Sequence, residues 1–62
     1  MYHYVMQVIG GRVVAHGAYK SSKAAENRYD RVEGGEIHLF RSDNPDAQQA
    51  IQEFRDEEMR RL

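Results

Sequence analysis

Tyr2-His-Tyr-Val-Met-Gln-Val-Ile9, then Gly10-Gly11, then Arg12-Val-Val-Ala-His-Gly-Ala-Tyr19 is the stretch that decides the fold. Two runs rich in valine and tyrosine flank a pair of glycines. A two-residue hairpin turn needs positive φ, which glycine reaches without strain, so the segment reads as a β-hairpin. A loop of two residues also sets a register. Ile9 faces Arg12, Val8 faces Val13, Met6 faces Ala15, Tyr4 faces Gly17 and Tyr2 faces Tyr19. Because side chains alternate across a strand, one face carries Tyr2, Tyr4, Met6, Val8, Val13, Ala15, Gly17 and Tyr19 and is expected to line the core. The opposite face carries His3, Val5, Gln7, Ile9, Arg12, Val14, His16 and Ala18.

Beyond the hairpin, Ser21 or Ser22 caps a helix expected over residues 22 to 33, with Ala25, Tyr29 and Val32 as a narrow apolar stripe and Gly34-Gly35 as its stop. Glu36 to Arg41 reads as a third strand. Asn44-Pro45 then signals a second helix, with asparagine as cap and proline at the first helical position, running from about Pro45 to near Leu62. Ala47, Ala50, Ile51, Phe54 and Leu62 fall on one side of it, with Asp56–Arg60 and Glu57–Arg61 as pairs one turn apart. The order is β-β-α-β-α, an α+β fold in a single domain spanning residues 1–62. The third strand is expected to pair antiparallel with the first, giving a three-stranded antiparallel sheet of order 2-1-3 that centres the most apolar strand. Both helices are expected to be packed on one face.

The composition bounds the function. Leu, Ile, Val and Phe number 12 of 62 residues, just below the level that warns of disorder, but 9 basic and 10 acidic residues leave a net charge of only −1. A balanced chain of this kind is expected to fold, and at this size it buries roughly 60% of its unfolded surface. The absence of cysteine excludes disulfides, a thiol nucleophile and thiolate zinc ligation. No apolar run is long enough to span a bilayer and no secretory signal is evident, so a cytoplasmic protein without a membrane partner is expected.

With both helices on one side, the other sheet face has no layer of its own. If Ile37 and Leu39 point to the core, that open face shows Val5, Ile9, Val14 and Phe40 among polar neighbours. Such a patch suggests an interface, and a homodimer or a contact with another protein through this face or the edge strand beside it is the leading expectation. His3, His16 and His38 fall on the same face and form a secondary candidate for a metal site, with Glu36 the only acid nearby. Lys20, Ser21, Ser22 and Lys23 stand at a helix start, where free N–H groups can meet an anion. They lack the glycine spacing of a phosphate loop, and capping alone accounts for the serines.

Charge divides unevenly: residues 1–32 carry a net +3 and residues 33–62 a net −4. Arg12, Lys20, Lys23, Arg28 and Arg31 could meet phosphates, but the acidic second half disfavours nucleic acid as the main partner. No nucleophile, base and orienting group occur together, and no cofactor is implied. The sequence therefore reads as a small non-catalytic binding or assembly module rather than an enzyme. The alternative is a metal- or anion-binding protein.

Overall fold

The computed structural model describes residues 1–60. Its elements are β1 (Tyr2–Ile9), β2 (Arg12–Tyr19), α1 (Ser22–Tyr29), β3 (Glu36–Ser42) and α2 (Ala47–Arg60). The sheet has the order β2-β1-β3, with β1 antiparallel to both neighbours. The chain is thus an α+β fold with β-β-α-β-α order, as the sequence predicts.

Gly10 and Gly11 close the hairpin at φ 57° and 76°, the left-handed conformation that the turn requires. The expected register holds from Ile9↔Arg12 to Met6↔Ala15 and then slips, so that Tyr4 faces Ala18 and His3 faces Tyr19. His16 and Gly17 together stand across from Val5, forming a β-bulge whose glycine sits at φ 115°. One extra residue reverses the facing of everything beyond it. Tyr19 consequently leaves the Tyr4 face and joins that of His3.

The helices lie on opposite faces of the sheet, not on one. Tyr4, Met6, Ala50 and Phe54 form a buried cluster joined by Tyr2, Val8, Val13, Ala15, Phe40 and Ile51, so α2 covers the even-numbered face of β1. On the other face Val5 is fully buried beneath α1, whose Ala25 is only 1% exposed. Just after α1, the Gln7 amide donates to the carbonyls of Glu33 and Gly34, both at 2.9 Å. The physical reason is the composition of β1, which carries apolar side chains in both phases. A sheet apolar on both faces is stable only with a layer on each.

The ends of the helices also differ from expectation. α1 stops at Tyr29 rather than residue 33, with Asp30 as its C-cap, and the chain then turns through Gly34 and Gly35. The Ser21 hydroxyl accepts from the Ala24 N–H at 3.1 Å, which makes Ser21 the N-cap. At α2, Asp46 rather than Asn44 occupies the cap: its carboxylate accepts from the Gln48 N–H and its carbonyl from the Ala50 N–H. Asn44 instead folds a turn of its own, accepting from the Asp46 N–H. The Asp56 carboxylate takes the Gln52 amide, and Leu62 and the Glu57–Arg61 pair lie outside the described residues.

Candidate functional site

The outer edge of β3 is an open strand edge that a partner could extend. A strand at the end of a sheet carries N–H and C=O groups that no neighbour satisfies, and proteins usually blunt such edges with bulges, prolines or lysines. The edge of β2 is interrupted by the Gly17 bulge. β3 has no bulge in its register with β1 from Tyr2↔Ser42 to Val8↔Glu36 and no proline or lysine, and its charged residues, Glu36 and Arg41, stand toward its two ends. At its centre Leu39 is 50% exposed.

The exposure of Leu39 follows from the lengths of the elements. Leu39 pairs with Val5 and shares its face. α1 has only 8 residues, about 12 Å of helix, and its buried Ala25 borders the space left between it and β3. A shallow groove of roughly 390 Å³ therefore separates α1 from β3, lined by His3, Ser22, Ala25, Glu26 and residues 39–41. On the other face a second groove of roughly 360 Å³ runs between β3 and α2, bordered by His38, residues 39–41, Phe54, Glu57 and Glu58. Leu39, Phe40 and Arg41 border both grooves, so neither helix closes over the strand.

Val5 is buried and Phe40 half-buried, so neither forms an open apolar patch. Phe40 stacks edge-on against Phe54, with ring centroids 5.5 Å apart and planes at 81°. Val5 is fully buried. The reason is the phase of β3: Phe40 pairs with Tyr4 and His38 with Met6, so these two face α2, while Ile37 and Leu39 face α1. This is the reverse of the phase read from the sequence. Ile9 and Val14 do remain exposed, at 47% and 42%, near the hairpin end of the α1 face.

The same reversal separates the histidines. His16 lies on the α1 face, where its Nε2 is 2.7 Å from Gln7 Oε1. Because the Gln7 amide nitrogen already donates twice, its oxygen is the acceptor, and His16 carries its proton on Nε2. His38 lies on the α2 face, 5.3 Å from the Phe54 ring and 3.6 Å from the Glu36 carboxylate. His3, His16 and His38 are thus not brought together, and no group of potential metal ligands occurs among the described residues. At the start of α1, Ser21 is engaged as the cap, Ser22 borders the groove beside β3, and Lys20 and Lys23 are exposed.

The sequence reading missed Leu39, and the signal that could have found it is weak. Ile37 and Leu39 compete with His38 and Phe40 for the core, and only the pairing with β1 decides between them. No helix among the described residues is long and apolar enough to cross a membrane. Comparison with protein-family models, curated proteins and solved structures found no match.

Proposed function

We propose that this chain is a non-catalytic assembly module that pairs with a second copy of itself through the outer edge of β3. The observation that carries this reading is the unblunted β3 edge, with Leu39 half exposed between two grooves. An antiparallel partner strand would satisfy the open backbone groups, and its side chains would enter the grooves on either side. A two-fold axis at Leu39 places Leu39 against its own copy, Ile37 against Arg41 and His38 against Phe40, each pair on a common face. The strand is acidic at Glu36 and basic at Arg41, so antiparallel pairing brings the acidic end of one copy beside the basic end of the other. Six strands in one continuous sheet would result.

Sedimentation equilibrium tests this directly. A dimer at micromolar concentration that Leu39→Lys converts to a folded monomer is the expected result. A strict monomer at high micromolar concentration overturns the reading, and so does a dimer indifferent to Leu39→Lys.

A further inference from the structure

We propose that the slot between the Tyr19 ring and the flank of α1 binds a nucleoside phosphate. The slot is shallow and more open than the grooves beside β3, with a volume of roughly 310 Å³, and is lined by Tyr19, Ala24, Asn27, Arg28 and Arg31. This is near the lower limit of small-molecule sites, a size suited to one nucleotide rather than a larger ligand.

The bulge at Gly17 creates the slot. By reversing the facing of Tyr19, it brings a ring that would otherwise join the α2 core up against α1. The ring is then held in place from behind. Its hydroxyl donates to the His16 carbonyl at 3.2 Å, and it packs so closely over Gly17 that a Cβ there would lie 3.0 Å from three ring-end atoms. A ring fixed in this way at the border of the slot is a platform on which a planar base can stack.

The opposite wall is one stripe of α1 and the turn after it. Ala24, Asn27, Arg28 and Arg31 are spaced at i, i+3, i+4 and i+7, the spacing that aligns side chains on a helix. Ala24 is small and leaves room. Asn27 offers a donor and an acceptor to the edge of a base. The two guanidiniums present forked donors suited to phosphate oxygens. Among the described residues neither arginine has a carboxylate within 4.0 Å, so their charge is not spent inside the protein. Helix polarity accounts for Arg28 in the last turn of α1, but not for a tethered aromatic ring and an amide beside it. Of the five basic residues grouped by sequence alone, only Arg28 and Arg31 line this slot.

The test is an NMR titration of the whole protein at low salt, with adenosine monophosphate, a short oligoadenylate and inorganic phosphate as separate probes. Shifts confined to Tyr19 and residues 24–31 are expected with a nucleotide probe and not with inorganic phosphate. Saturation by the mononucleotide identifies a free nucleotide as the ligand, and saturation by the oligoadenylate alone identifies a unit of a single strand. Arg28→Gln with Arg31→Gln should weaken binding by roughly tenfold or more while helicity is unchanged. Tyr19→Phe should bind and Tyr19→Leu should not. The absence of shifts at millimolar nucleotide overturns the proposal, as does equal binding of inorganic phosphate or undiminished affinity in the double glutamine variant. Because the slot lies away from β3, Leu39→Lys should bind nucleotide as the native chain does.

Discussion

The Phe40 ring meets the Phe54 ring edge-on at 5.5 Å, fixing β3 against α2 and committing one phase of that strand to the core. Phe54 is 4% exposed and belongs to the buried cluster with Tyr4, Met6 and Ala50. Truncating it to alanine should cost about 3–5 kcal/mol, a large part of the stability of a domain this small. Urea unfolding should show the midpoint of Phe54→Ala far below that of the native chain. Phe40→Glu, which would dissociate a dimer if Phe40 were on the surface, should instead unfold the protein.

Gln7 holds the turn after α1 to the sheet with two amide hydrogen bonds to the Glu33 and Gly34 carbonyls. Gln7→Leu preserves much of the volume but leaves those carbonyls without their donor, and it also removes the acceptor of His16. A loss of about 1–3 kcal/mol is expected. Hydrogen exchange should quicken at residues 33–36 before it quickens in the hairpin.

Two glycines with similar φ should respond very differently to substitution. A Cβ on Gly35 would lie 2.2 Å from the Val8 carbonyl oxygen, whereas a Cβ on Gly11 would meet nothing within 4 Å. Gly11→Ala bears only the conformational cost of a positive φ, about 1 kcal/mol. Gly35→Ala also drives its methyl group into the Val8 backbone and should lose several times as much. Thermal unfolding of the two variants provides the comparison.

Tyr4 is fully buried and donates its hydroxyl to the Asn44 carbonyl. Burial raises its pKa above the ordinary tyrosine value of 10.0, with smaller contributions from Asp46, Tyr2 and Glu53. Above pH 10 the unfolded chain releases this proton while the folded chain retains it. The unfolded state is favoured increasingly as pH climbs. The associated stability is complete below pH 10 and is lost as pH rises through the folded-state value. The unfolding free energy measured at successive alkaline pH values should fall more steeply for the native chain than for Tyr4→Phe, which has no proton to lose there.

The hairpin was legible because its signals are local. Glycines at positions 10 and 11 and the alternation on either side determine the turn, the strands and the register of the first four pairs. The Gly17 bulge was not legible, because a glycine opposite a tyrosine reads equally well as room for a ring. Its consequence, the transfer of Tyr19 to the α1 face, followed only from the tertiary pairing.

By itself the sequence determined the order of the five elements, the 2-1-3 sheet and the scarcity of large apolar residues, since turns, caps and periodicities are set by near neighbours. Only the tertiary structure decided which face each helix covers. β1 and β3 are apolar in both phases, so alternation cannot say which side of either strand faces which helix; that depends on how β3 pairs with a strand 28 to 40 residues earlier. With α1 over Val5 and α2 over Tyr4, the uncovered face expected from the sequence disappears. Within the sheet, the large apolar side chains left exposed are Leu39 on the β3 edge and Ile9 and Val14 by the hairpin turn.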